Sequence, residues 1–293
     1  VGGSPGIVVS DRKTDQVVWR GHGWLAGQPD ERGDIFYLSI QDSGPVYHWC
    51  LHGSTQTDFK IKLNLPEWVN QRRFPELVDL SAKRDALVLG FNDYPGQRSY
   101  LAALDVKNGQ PHWQVERDSR LERWCLRGLA AHRVMEMAVV HLGGNNRANP
   151  PLPWKSVLSM VDLRNGRIIW SHEGAGDLKS ILRFSSSGSC LAWLEGWALK
   201  VYAALSGDLI WQTLCGMNSA CLAPFDDQTG VLVLRVQKPD PERFFGPQSS
   251  DIRLVRIDRG GEVSDLMPCI GNERTDLGAF ALMDGGSTLI LPA

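Results

Sequence analysis

Apolar residues along this chain come in short runs, two at a time, with a polar step between the members of each pair. The stretch SVLSMVDLRNGRIIW from Ser156 to Trp170 shows the plan. Alternation and β-branched residues up to Val161 predict a strand. Arg164-Asn165-Gly166 then supplies residues that tolerate positive φ, as a tight hairpin turn requires. Arg167 to Trp170 predicts the returning strand. The same plan reads out of LAALDVKNGQPHW (101–113), VYAALSGDLIW (201–211) and GIVVSDRKTDQVVW (6–19). A second kind of hairpin alternates with the first, at 77–91, 181–195, 222–236 and 280–293, each with a Gly, Ser or Asp turn between two apolar strands. One hairpin of each kind makes a four-stranded antiparallel sheet.

The first kind carries a phrase that recurs. It reads Asp105-x3-Gly109-x3-Trp113, then Asp162-x3-Gly166-x3-Trp170; Ala203-x3-Gly207-x3-Trp211 keeps the Gly and Trp, and Asp11-x3-Asp15-x3-Trp19 keeps the Asp and Trp. A fixed phrase at this spacing marks a repeat fold. The Asp is placed to bond turn amides, and the Trp to cover the gap to the neighbouring sheet. Equivalent positions fall at 11, 105, 162, 203 and about 257, and the long interval from 11 to 105 holds two units, with a degenerate outer hairpin at 46–65. These spacings predict an all-β fold, a β-propeller of six four-stranded blades spanning 1–293 as a single domain. The N-terminal outer hairpin is expected to pair with the C-terminal inner hairpin in one shared blade, closing the ring without a free sheet edge.

Ala103-x-Asp105-x3-Gly109-x3-Trp113 resembles the tryptophan-docking repeat of the quinoprotein-like (PQQ-like) propellers, and the inner hairpins with their polar turns are similar to WD-repeat blades. The resemblance covers most of the chain as a repeat pattern. It implies a propeller and, as in many such proteins, a non-catalytic platform for other proteins. Quinoprotein dehydrogenases carry an adjacent cysteine pair and acidic calcium ligands. Here no two cysteines are adjacent and no matching acidic cluster is present, so no cofactor is expected.

Charge and composition narrow the partners. The formal net charge is −2, with Lys and Arg spread along the chain, which argues against nucleic acid. No apolar run has the roughly 18–20 residues that cross a bilayer, so no membrane association is expected. No signal peptide is recognised. The six cysteines (Cys50, Cys125, Cys190, Cys215, Cys221, Cys269) are scattered, without a CxxC pair and largely beside apolar runs. That is the usage of reduced, core-filling thiols and points to the cytoplasm.

Candidate chemistry is sparse. Gly2-Gly3-Ser4-Pro5-Gly6 matches GxSxG by letter but has no strand before it or helix after it, so it is no nucleophile elbow. His48, Cys50 and His52 share one face if their segment is a strand, and imidazole–thiolate–imidazole is a set that binds zinc. The competing reading is a half-exposed polar face opposite buried Trp49 and Leu51. The loops carry more. Two predicted second-to-third-strand connections, 142–155 and 238–250, are long and rich in Pro, Gly and Asn or Ser, yet hold Arg147, Trp154, Arg243, Phe244 and Phe245. Sheet-to-sheet segments at the same end add Trp68, Arg72, Arg73, Arg117, Arg120, Arg123 and Trp124. Aromatics and arginines are the types enriched at interface hot spots. This set therefore predicts binding of another protein or peptide, within a larger complex, by a non-catalytic scaffold. The alternative is a hydrolase, lyase or isomerase at the mouth of the central channel, drawing on Asp79, Asp93, His141, Asp177 or Glu195.

Overall fold

The computed structural model describes the backbone of the strands named below. Side chains are described within 65–69, 77–93, 98–116, 125–144, 156–174, 180–195 and 198–214, a few turn positions apart, and at 257. The chain opens with β1 (Gly6–Asp11) and β2 (Gln16–His22). A first sheet follows from β3 (Trp24–Leu25), β4 (Ile35–Gln41), β5 (Gly44–Leu51) and β6 (Thr55–Phe59). The short helix α1 (Glu67–Asn70) leads to the second sheet: β7 (Leu77–Leu80), β8 (Ala86–Asp93), β9 (Arg98–Asp105) and β10 (Pro111–Asp118). The third sheet holds β11 (Trp124–Ala131), β12 (Met137–Gly144), β13 (Ser156–Asp162) and β14 (Ile168–Gly174). The fourth holds β15 (Ser180–Phe184), β16 (Cys190–Glu195), β17 (Ala198–Ala203) and β18 (Leu209–Leu214). The fifth holds β19 (Ser219–Leu222), β20 (Val231–Gln237), β21 (Asp251–Ile257) and β22 (Val263–Cys269), and the chain ends with β23 (Ala281–Met283) and β24 (Thr288–Pro292).

Every pairing among these strands is antiparallel, and the described residues form six four-stranded sheets. The sixth joins the two ends of the chain in the order β2-β1-β24-β23, with Ile7 opposite Pro292, Val8 opposite Leu291 and Val9 opposite Ile290. First strands of neighbouring sheets lie against each other: β11 meets β7 on one side and β15 on the other, and β15 meets β19. Alternation of strand direction puts two kinds of segment at one end of each sheet: the second-to-third-strand loops and the sheet-to-sheet connections. The hairpin turns lie at the opposite end.

The recurring phrase explains the turns and the joints between sheets together. Gly109, Gly166 and Gly207 take φ of 70°, 73° and 76°, a region that costs any residue with a Cβ. Each donates its amide to the carbonyl four residues back, at 2.8 Å to Asp105, 2.8 Å to Asp162 and 2.9 Å to Ala203. Asp105 and Asp162 add carboxylate bonds to the amides of Asn108 (3.2 Å) and Arg164 (2.9 Å). The tryptophans then reach to the next copy. Trp113 donates through Nε1 to the Leu163 carbonyl at 2.7 Å, and its ring lies over Gly166. Trp170 repeats the arrangement on the Ala204 carbonyl at 2.9 Å, over Gly207. The missing side chain at the glycine is what lets the indole lie flat on the turn.

Apolar residues fill the seams between sheets. Val88, Ala103, Ala138 and Leu163 close the seam between second and third sheets. Val139, Leu158, Met160, Leu182, Phe184 and Trp193 close the next one, and Leu194, Leu199, Val201 and Ile257 the one after. Two buried tyrosines, Tyr100 and Tyr202, are held neutral. Burial pushes the Tyr100 phenol up to about 12, with the Glu116 charge adding to it, and burial with Glu195 does the same for Tyr202. Both folded values are raised, so this stability is complete below pH 10 and drains away as pH rises toward 12. The expected loss is roughly 1 kcal/mol per tyrosine by pH 11. Urea unfolding at pH 9 and 11 measures it, and Tyr100→Phe and Tyr202→Phe should each remove part of the dependence.

Candidate functional site

The loop-bearing end of the seam between third and fourth sheets gathers a connected set of polar side chains. β13 starts there at Ser156, β14 ends there at Gly174, β15 starts at Ser180 and β16 ends at Glu195. Ser156 donates its hydroxyl to Glu195 Oε1 at 3.0 Å, and Lys200 Nζ reaches Glu195 Oε2 at 2.8 Å. The same ammonium lies 4.7 Å from the centre of the Trp193 ring, whose Nε1 donates to Ser180 Oγ at 2.7 Å. Gly174 has no side chain because none fits: a Cβ would stand 2.4 Å from Ser156 Oγ and 2.8 Å from Glu195 Oε1.

His141 on β12 sits beneath this set with its ring edge toward Trp193, centroids 5.1 Å apart. It is wholly buried, and neither ring nitrogen has a hydrogen-bond partner. Burial holds the imidazole down at about 4; Glu195 opposes that shift, while Arg127 and Lys200 add to it. Arg127 comes from a break in register on β11, where Leu126 faces Leu142 but Gly128 already faces His141. Such a bulge leaves one extra residue and re-aims it.

The innermost strand β11 is tied to the second sheet by two polar side chains. Asn92 accepts from the Leu126 amide at 2.9 Å and donates to the Leu126 carbonyl at 3.0 Å. Asp79 accepts from the Ala131 amide at 2.7 Å and the Leu80 amide at 2.9 Å. Both satisfy backbone groups that a strand edge would leave open.

The expected enzyme residues therefore scatter. Asp79 lies at the hairpin-turn end and is bound to backbone amides. Asp93 ends β8, half-buried at the loop-bearing end, in register with Arg98. His141 and Glu195 are brought close, but Glu195 is engaged by Ser156 and Lys200. Asp177 lies outside the described residues. The described residues contain no group of three His, Cys, Asp or Glu side chains able to hold a metal ion. His48 and Cys50 fall two apart on β5, opposite Tyr37 and Ile35 of β4, while the side chains of His48, Cys50 and His52 lie outside the described residues.

Of the expected binding residues, Trp68 is described, and it departs from a free loop aromatic. α1 carries it onto the second sheet, where Val69 is fully buried and Trp68 packs beside it. Its indole donates to Glu116 Oε1 at 2.8 Å. Four residues are too few for a periodic signal, so the sequence reads this stretch as a sheet-to-sheet segment. The side chain of Trp124 lies outside the described residues, although its backbone opens β11 at the loop-bearing end. Arg72, Arg73, Arg117, Arg120, Arg123, Arg147, Trp154, Arg243, Phe244 and Phe245 also lie outside the described side chains. The ends of β12 and β13 at Gly144 and Ser156, and of β20 and β21 at Gln237 and Asp251, put their two long segments between second and third strands. Sequence reasoning missed Asn92, Trp193 and Lys200, whose partners lie on other strands or sheets and leave no local spacing.

No protein-family model matches the chain, and no curated protein matches its sequence. Solved structures do. A TolB structure from Agrobacterium tumefaciens is similar with a TM-score of 0.52 at 12% identity, over 100% of this chain and 98% of that one. Kuenenia stuttgartiensis hydrazine synthase is similar with a TM-score of 0.53 at 8% identity, over 89% of this chain and 77% of that one. At such identities the likeness shows the fold alone. The fold is of the β-propeller type. No helix among the described residues is long and apolar enough to cross a membrane.

Proposed function

We propose that the chain is a six-bladed propeller, closed by the sheet its two ends share, that serves as a non-catalytic scaffold in the cytoplasm. It binds another protein or peptide through the end that carries the long loops. The observation that carries this reading is the position of those loops. Both long segments leave from second-to-third-strand junctions, and these share an end with the start of β11 at Trp124 and with the sheet-to-sheet segment that holds Arg72 and Arg73. A propeller concentrates its variable surface there, and Arg, Phe and Trp are the side chains that anchor interfaces. The described carboxylates support the same reading, because Asp79 and Glu195 are spent on amides, a hydroxyl and an ammonium rather than aimed into an open pocket.

The test uses the whole chain immobilised as bait in a cytoplasmic extract, with wild type beside Trp154→Ala and Phe244→Ala/Phe245→Ala. Proteins that bind specifically should be recovered about tenfold less by the variants, the effect of losing one hot-spot anchor. Melting temperatures should stay within about 2 °C of wild type, as for surface changes. Recovery unchanged by all three substitutions overturns the assignment of this surface.

A further inference from the structure

We propose that the seam between third and fourth sheets is a proton-operated joint, held shut while His132 and His141 are uncharged and loosened when they take up protons. The two histidines stand at opposite ends of one seam, with the layer of Val139, Leu158, Leu182 and Trp193 between them.

At the hairpin-turn end, His132 Nδ1 accepts from the amides of both Val134 and Met135 at 3.0 Å. Its ring proton must therefore sit on Nε2, which donates to the Gly188 carbonyl of the fourth sheet at 2.8 Å. A second proton on Nδ1 would turn that acceptor into a donor facing two N–H groups, and the turn could not keep its shape. Phe184 from β15 packs against this ring in a tilted arrangement, centroids 4.8 Å apart. Of the described carboxylates, Glu136 accepts from the Lys83 amide, and Asp79 from those of Leu80 and Ala131.

At the loop-bearing end, a charged His141 would have no acceptor at either nitrogen. Among the described residues, the charged groups around it are Arg127 of β11, Lys200 of β17 and Glu195 of β16. Glu195, the one anion among these three, already holds Ser156 and Lys200. A phenylalanine at 141 would fill the same ring space against Trp193 without burying two idle nitrogens, so stability alone does not account for an imidazole there. The seam between second and third sheets, by contrast, is clamped to Leu126 by Asn92 and to Ala131 by the Asp79 carboxylate, with no imidazole in either clamp.

Hydrogen exchange of the intact chain at pH 7 and pH 5, corrected for intrinsic rates, tests the joint. An imidazole at about 4 when closed and 6.5 when open raises the opening constant of this seam roughly twentyfold between those pH values. Peptides covering 137–144 and 190–195 should show it, while those covering 77–80 and 86–93 should not. His141→Phe should remove most of the rise. His132→Asn, whose amide oxygen keeps the turn bonds without titrating, should remove the remainder. Equal loosening of both seams, or a full rise persisting in both variants, overturns the proposal. So does a wild-type His132 found by nitrogen-detected NMR at pH 7 with its proton on Nδ1.

Discussion

Trp170→Ala is expected to lower stability by about 3 kcal/mol, the low end for a tryptophan because this one is half-buried. The side chain joins three things at once. Its ring covers Gly207, its Nε1 holds the Ala204 carbonyl at 2.9 Å, and it lies 5.2 Å from His172, whose own Nε2 meets the Gly207 carbonyl. Truncation opens the outer corner between third and fourth sheets and leaves the Ala204 carbonyl without its donor. Trp170→Phe keeps most of the apolar cover and loses the hydrogen bond, so it should cost about 1 kcal/mol. Urea unfolding of the three proteins gives the order. Equal stability of Trp170→Ala and wild type would mean that the docking of each copy on the next does not hold neighbouring sheets together.

Gly188→Ala is expected to cost about 3–4 kcal/mol, by two separable routes. The residue has φ of 75°, where a Cβ costs about 1 kcal/mol or more. That Cβ would also stand 2.4 Å from His132 Cε1 and 2.8 Å from its Nε2. The ring cannot step aside, because two amides and a carbonyl hold it, so the clash moves backbone. Removing the ring should relieve the clash and leave the backbone strain. His132→Ala/Gly188→Ala is therefore expected to be less destabilised than the sum of its singles by more than 1 kcal/mol. Additive losses, read from the same urea curves, would show that the two turns are not in contact.

The sheets were legible in the sequence because hairpins are local. Asp162, Gly166 and Trp170 lie within nine residues, and turn and aromatic are both encoded in that window. The pairing of the chain ends was legible for a different reason: each terminal hairpin lacks the partner that the other supplies. The joints were not legible. Trp113 meets Leu163, Asp79 meets Ala131 and His132 meets Gly188 across distances in sequence that no short pattern spans. Asp79 and Glu195 were candidate acids only by lying near inner strands or their ends, and no spacing singled them out. The amides, hydroxyl and ammonium that occupy them come from other strands or other sheets. Trp68 looked like a loop aromatic because one turn of helix has no periodicity to betray it.

The pairing of the two chain ends is tested most directly by cross-strand nuclear Overhauser contacts in the deuterated, nitrogen-labelled protein. Backbone amides of Ile7–Val9 should show contacts to those of Ile290 and Leu291, in the antiparallel register that sets Val8 opposite Leu291. Contacts from β1 to β2 alone, with β24 paired to some other strand, would contradict a ring closed by its own termini.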